Sequence, residues 1–247
     1  MSKKGKYTRV AKTLDISRRT KFEAVQKNGS QNTTHRISLT ALTDEQKVAL
    51  KHIDSSTITF LFGPAGTGKS HLATVYGVIE FLRGKYERLI FTRPCIEAYG
   101  EKLGSLPGDP NEKIAPYMIP LFDILRRVMD QSKINVLIEQ HKIITMPLAF
   151  QKGVTFYKAF VVADEMQNSL KSQMRMMLTR IGEDSKIVVT GDIQQSDIYT
   201  VEKNGLSDAI ERFRDVENES ISIVELTAAS IIRHPIIKII EEKYSEN

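Results

Sequence analysis

Cysteine and tryptophan are almost missing from this chain, which has one cysteine, Cys95, and no tryptophan among 247 residues. A lone cysteine has no partner within the chain, so a disulfide framework is excluded and a reducing, cytoplasmic setting is expected. Long apolar runs are missing too. No stretch approaches the roughly 18 apolar residues that cross a bilayer as a helix, which excludes an integral helical membrane protein. The start, MSKKGKYTRV, is basic but has no apolar stretch behind it, so it does not read as a secretory signal. Internal repeats and low-complexity tracts are also absent. What is present, 41% hydrophobic and 26% charged residues, is ordinary globular composition, long enough to bury a full core.

The net charge of +5 is unevenly placed. Residues 1–36 carry ten basic side chains against Asp15 and Glu23, a charge of +8, and the other 211 residues sum to −3. Such asymmetry suits an arm that meets a polyanion, and it equally suits a solvated tail. Residues 26–36, QKNGSQNTTHR, are polar and read as a linker. The expected organisation is a basic arm and linker over 1–36, then one domain over 37–247.

From Ile37 onward, β-type runs alternate with helix-type periods. Thr57–Phe62, Arg88–Phe91, Ile143–Met146, Ala159–Ala163, Lys186–Thr190 and Ile221–Leu226 read as strands. Lys113–Asp130 is helical in pattern, and a last helix is predicted from Pro235. Leu170, Met174, Met177, Leu178 and Ile181 recur at helical spacing and are expected in the core. Strands alternating with helices imply an α/β fold with a parallel sheet covered on both faces.

Gly63-Pro64-Ala65-Gly66-Thr67-Gly68-Lys69-Ser70 matches G-x-x-x-x-G-K-[ST], after an apolar strand and at the start of a helix. The glycines let successive backbone N–H groups curl around phosphate oxygens, and the helix N-terminus adds its positive dipole end. Lys69 can reach the β- and γ-phosphates, while the Ser70 hydroxyl can ligate Mg²⁺. The run Phe160-Val161-Val162-Ala163-Asp164-Glu165 ends a buried strand in two acids. Asp164 suits Mg²⁺, and Glu165 suits polarisation of an attacking water. A Gln after the Gly191-Asp192 turn, Gln194 or Gln195, can sense a γ-phosphate. Arg233 can stabilise transition-state charge or simply cap the surface; residue types alone leave that choice open.

Taken together, LTDEQ (42–46), GPAGTGKS, TRPCIEAYGEKLGSLPGD, VVADEMQN, VVTGDIQQSD, NGLSDA and IIRHPIIKII resemble the PhoH-like proteins. That ATPase family has motifs similar to those of the first RecA-like domain of superfamily 1 helicases. The likeness covers about 200 residues, from roughly 40 onward. It implies a P-loop NTPase with a RecA-like parallel sheet flanked by helices, preceded here by a basic N-terminal arm. It also implies ATP and Mg²⁺ as ligands. The implied nucleotide-binding set is Gln46, which matches the residue that reads the adenine edge, with Gly63, Pro64, Ala65, Gly66, Thr67, Gly68, Lys69, Ser70 and His71. Ser70 and Asp164 are implied as Mg²⁺ ligands, and Lys69, Glu165, Gln195 and Arg233 as catalytic residues. Gln195 is favoured over Gln194 by its place in the family's G-D-x-x-Q element, whose strand lies between those of the phosphate loop and the acids. Thr92, Arg93 and Pro94 match a stretch that faces single-stranded nucleic acid in helicases. Met166 and Gln194 depart from the family's usual residues, and the arm before 37 is not covered.

The chain closes soon after its last matched motif, so no second RecA-like domain is expected in cis. A homo-oligomeric ring, hexameric by resemblance, would let a neighbour complete the site. The leading function is an ATP-hydrolysing, helicase-like motor on RNA or single-stranded nucleic acid. A nucleotide-gated binding or assembly switch with slow turnover is the alternative. Ribonuclease activity is disfavoured, because His35, His52, His71, His141 and His234 show no catalytic or metal spacing. Cys95 reads as structural or incidental, and Tyr99 and Tyr117 are candidates for stacking on bases, with packing the default for lone aromatics.

Overall fold

The computed structural model describes residues 21–27, 34–94, 110–196, 204–216 and 218–232, together with 236, 240 and 243. Its first element lies inside the segment assigned above to arm and linker. Strands β1 (Lys21–Lys27) and β2 (Thr34–Thr40) form an antiparallel hairpin in which Phe22 faces Leu39 and Ala24 faces Ile37. All four of these side chains are buried, as expected for alternate residues of a strand with one face on a core. The boundary expected at 36/37 therefore falls within a strand. The apolar alternation is short and set among basic residues, so net charge masked it.

The remaining strands are β3 (Ile58–Phe62), β4 (Arg88–Thr92), β5 (Ile143–Thr145), β6 (Ala159–Ala163), β7 (Lys186–Gly191) and β8 (Ile221–Glu225). They pair in parallel in the order β5-β4-β6-β7-β3-β8. β6 and β7 are buried along their whole length, as near-continuous apolar strands covered on both faces must be. β7 lies between β3 and β6, with Thr59 opposite Val188 and Val161 opposite Ile187.

Among the described residues, the helices packed on this sheet include α1 (Asp44–Ser55), α2 (Lys69–Leu82), α3 (Pro110–Val128), α4 (Gln131–Glu139), α5 (Lys171–Leu178) and α6 (Gly205–Phe213). On one face, Leu50 of α1, Leu72 and Tyr76 of α2 and Leu121 of α3 pack with the hairpin against Leu61, Phe160 and Val162. On the other, Met174 and Met177 of α5 and Leu206 and Ile210 of α6 pack against Phe60, Phe62, Val161 and Val189. Successive residues of β3 and β6 thus feed opposite cores. α2 is buried nearly all round, in keeping with a helix enclosed by sheet, neighbouring helices and the hairpin. The Phe22 ring meets Tyr76 edge-on at 5.0 Å between centroids.

The methionine stripe is core at Met174 and Met177, whereas Leu170, which caps α5, is exposed. Of the helix expected from Pro235, Ile236, Ile240 and Lys243 are helical and the rest lies outside the described residues. Among the described residues no helix is long and apolar enough to cross a membrane. The architecture is a RecA-like α/β fold: a parallel sheet between two helical layers.

Candidate nucleotide-binding site

β3 delivers its last buried residue, Phe62, into the loop Gly63–Gly68, and α2 begins at Lys69. Gly63 has φ of +142°, and a Cβ there would lie 1.9 Å from the Leu226 carbonyl oxygen, so only glycine fits. Gly68 caps α2 in the left-handed conformation, with φ of +85°. The first turn of α2 carries no acidic side chain of its own to offset the positive end of the helix dipole at the loop. Lys69 is 9% exposed and donates to the carbonyls of Gly63 at 2.6 Å and Pro64 at 2.7 Å. The loop holds that ammonium against its own backbone.

Asp164 follows β6 at the same pole, with its N–H on the Thr92 carbonyl of neighbouring β4. It is 1% exposed, and its carboxylate is fully engaged. Oδ1 accepts from Ser70 Oγ at 2.7 Å and Thr190 Oγ1 at 2.5 Å. Oδ2 accepts from Arg93 Nε at 3.0 Å and Nη2 at 2.6 Å. Glu165 adopts a left-handed backbone, φ +56°, uncommon for a residue with a side chain and typical of constrained sites. Its carboxylate accepts from Gln167 Nε2 at 2.6 Å and lies 3.4 Å from Arg93 Nη2. The Gln167 oxygen in turn accepts the Asp192 N–H at 3.0 Å. Gln167 therefore ties the acid to the turn after β7, where Gln194 and Gln195 sit.

Two further segments enclose the phosphate loop. Gln46, 2% exposed, donates to the Thr67 carbonyl at 3.0 Å and accepts the Leu42 N–H at 2.8 Å. Beyond β8, the Leu226 N–H bonds the Phe62 carbonyl and the Ile232 N–H bonds the Gly66 carbonyl. Glu45 braces this second segment, accepting from the Thr227 N–H at 2.9 Å, from Thr227 Oγ1 at 2.6 Å and from Ser230 Oγ. Burial alone would raise the Glu45 carboxyl, but the hydrogen bonds from Ser230 and Thr227 outweigh it and hold it below the usual carboxylate range.

A hydroxyl and a carboxylate converging beside a phosphate-type loop form the oxygen donor set of a hard cation such as Mg²⁺. Among the described residues no cluster of three or more His, Cys, Asp or Glu could hold a metal alone. A cation here would draw its remaining ligands from nucleotide and water.

The family model for PhoH-like proteins matches residues 38–245. The chain belongs to the PhoH-like protein family. A PhoH-like protein of Synechocystis sp. is 42% identical over 236 residues, covering 95% of this chain and 71% of that one. A PhoH-like protein of Mycobacterium tuberculosis is 43% identical over 200 residues, covering 81% of this chain and 56% of that one. The chain thus spans between about half and three quarters of these relatives' lengths. Among solved structures, Pif1 helicase from Candida albicans is similar at 16% identity with a TM-score of 0.38, over 76% of this chain and 40% of that one, too loosely for residue-by-residue comparison.

In this PhoH-like domain, Lys69, Ser70, Asp164 and Glu165 meet at the carboxyl ends of β3 and β6. Gln46 reaches the loop through backbone contacts. Gln194 and Gln195 are both exposed, in the turn after β7. His71 is half-buried; burial first and the Arg127 charge second hold its imidazole below the ordinary range. Arg233, Cys95 and Tyr99 lie outside the described residues. The placement of Thr92 and Arg93 differs from a strand-facing role: Thr92 is fully buried and Arg93 turns inward onto the two acids. The sequence assigned no site role to Arg93 as an acid partner, or to Thr190, Gln167 and Glu45. Gln167 and Glu45 stand beside named motif residues, which is a usable signal. No spacing links residue 93 to residue 164.

Proposed function

We propose that the protein is a Mg²⁺-dependent ATPase that acts in the cytoplasm on RNA or single-stranded nucleic acid, as an oligomeric, helicase-like motor. The observation that carries this reading is the Ser70–Asp164 contact next to a loop that holds the Lys69 ammonium on its own carbonyls, with Glu165 the next residue at the same sheet pole. Backbone N–H groups of Gly63–Gly68 and the Lys69 ammonium bind the phosphates. Gln46, seated on the loop at Thr67, is the residue assigned to the adenine edge, and its amide would turn from Thr67 and Leu42 to read it. Ser70 and Asp164 would hold Mg²⁺, which would supply charge neutralisation at the nucleotide phosphates. Glu165 orients and polarises the attacking water. Gln195 and Arg233 act at the γ-phosphate, with a neighbouring protomer of a hexameric ring closing the site.

Purified protein, assayed for ATP turnover with and without single-stranded RNA and DNA across a salt series, tests the proposal. Stimulation that fades steeply with salt is expected, because phosphate contacts release counterions. Turnover indifferent to nucleic acid would refute the motor. Mass measurement of the assembly, and mixing of wild-type with Glu165→Gln subunits, test the ring; activity loss strictly proportional to dose counts against shared sites.

A second reading, a nucleotide-gated switch with slow turnover, is favoured by the engagement of Glu165 with both Gln167 and Arg93. An acid so held is a restrained base. Strand displacement coupled to ATP separates motor from switch.

A further inference from the structure

Asp164 is buried, and a carboxylate in that position is strongly destabilising unless an opposite charge and hydrogen bonds satisfy it. Arg93 brings that charge through two donors on Oδ2, at 3.0 and 2.6 Å, from a side chain itself only 13% exposed. The same guanidinium reaches Glu165 at 3.4 Å and donates through Nη1 to the Tyr117 carbonyl of α3 at 2.9 Å. One side chain thus spans both acids and a helix on the flank of the sheet. Ser70, the other oxygen expected at a cation, sits on the opposite oxygen of the same carboxylate.

A divalent cation between Ser70 and Asp164 would lie a few ångströms from that guanidinium. Repulsion between such charges is large even at an effective dielectric constant of about 20. Full engagement of Asp164 by both is therefore unfavourable. The local hydrogen bonding is also consistent with a second arrangement. The Thr92 hydroxyl, immediately before Arg93, is buried with no partner among the described residues, and native structures leave few such groups.

We propose that Arg93 is a positioning residue that stands in for the divalent cation. In the cation-free protein it neutralises Asp164 and keeps both acids in place. Entry of Mg²⁺ with nucleotide displaces it from Asp164, and its remaining bond to the Tyr117 carbonyl passes the change to α3. This inference rests on the nucleotide-site reading above and adds a competition between Arg93 and metal that the reading does not require.

The test uses the full chain and Mn²⁺ as a paramagnetic probe, titrated by electron paramagnetic resonance without nucleotide. Arg93→Ala removes the competing charge and is expected to bind Mn²⁺ at least about tenfold more tightly than wild type. Its melting temperature is expected to fall in chelator and to recover with Mn²⁺, while that of wild type moves little. A residue that merely braced the fold would leave Mn²⁺ affinity unchanged or weaker, and that result overturns the inference. Should Arg93→Ala fail to fold, the Nε–H resonance of Arg93 in wild type, assigned by its loss in Arg93→Lys, decides. It should shift with Mg²⁺ plus a non-hydrolysable ATP analogue and stay in place with the analogue alone; no metal-dependent shift overturns the inference. Binding of a fluorescent ATP analogue by wild type is measured alongside. A wild type that binds no nucleotide overturns the site reading itself. A wild type that binds it, with Arg93→Ala no tighter for Mn²⁺, overturns the role of Arg93 alone.

Discussion

Glu165 and Gly63 place chemistry and backbone constraint at two individual positions. The Glu165 carboxylate is partly exposed, at 46%, beside an Asp164 that is nearly sealed, so adjacent acids of the same type meet very different surroundings. The Glu165→Gln substitution keeps the shape but removes the proposed base, and it leaves one acceptor oxygen where the carboxylate offers one to Gln167 and one to Arg93. It is expected to leave ATP affinity near wild type while kcat falls about 10²–10⁴-fold, the usual contribution of a positioned base. A parallel collapse of affinity in equilibrium binding would contradict that role. At Gly63 the constraint is steric, since the added methyl of Gly63→Ala would overlap the Leu226 carbonyl. Denaturant unfolding should show a loss beyond about 4 kcal/mol, the range reached when a strained backbone and a clash coincide. A loss under about 1 kcal/mol, typical of ordinary substitutions, would mean that the loop relaxes around it.

At the scale of elements, the hairpin is the part whose role changes most. Phe22, Ile37 and Leu39 are buried in the same core as α2, so residues 21–40 close the domain rather than tether an arm to it. Deleting residues 1–36 would strip β1 and uncover Tyr76, whereas deleting 1–20 removes a charge of +6 and spares the hairpin. The longer deletion is therefore expected to melt well below the shorter one in calorimetry; equal melting temperatures would refute the hairpin's place in the core. The shorter deletion is the proper test of charge-driven nucleic-acid contact. This hairpin also shows where legibility ended. Strands β3, β6 and β7 were plain because buried parallel strands are continuous apolar runs. β1 and β2 carry only alternate apolar residues among polar and basic ones, and their pairing partner is another segment of chain.

Over the whole molecule, the pole opposite the nucleotide site governs response to alkaline pH. Lys186, at the start of β7, donates to the carbonyls of Ile53 and Asp54 at the end of α1. Burial first and the Lys85 charge second push its ammonium down to about 8 from 10.5, against the opposing pull of Asp54 and Glu80. Nearby, burial first and then the Asp54 hydrogen bond raise Tyr76 well above its ordinary value of 10.0, and burial followed by the Glu80 charge raises Tyr86. Between about pH 8 and 10 the unfolded chain holds the Lys186 proton and the folded one does not, so stability rises with pH. Above pH 10.0 the unfolded tyrosines ionise while the folded ones stay protonated, so stability falls. Denaturation at pH 7.5, 9.5 and 11 checks the sign of both limbs, and Lys186→Met should flatten the rising one. A monotonic decline from pH 7.5 in the wild type would exclude this account.

The local features were readable in the linear chain: a glycine-rich loop between strand and helix, paired acids after an apolar strand, and alternation of strand and helix. Each depends on residues within a few positions of one another, where spacing alone fixes geometry. The packing of the hairpin into the core and the inward turn of Arg93 were not readable in that way, and Gln167 and Glu45 stood beside motif residues without revealing their partners. Arg93 meets Asp164 across 71 positions, and Glu45 meets Thr227 across 182. Such contacts exist because a parallel sheet gathers the carboxyl ends of β3, β4, β6 and β7 at one pole and packs α1 beside the turn after β8. A buried carboxylate then takes whatever cation the fold brings within reach.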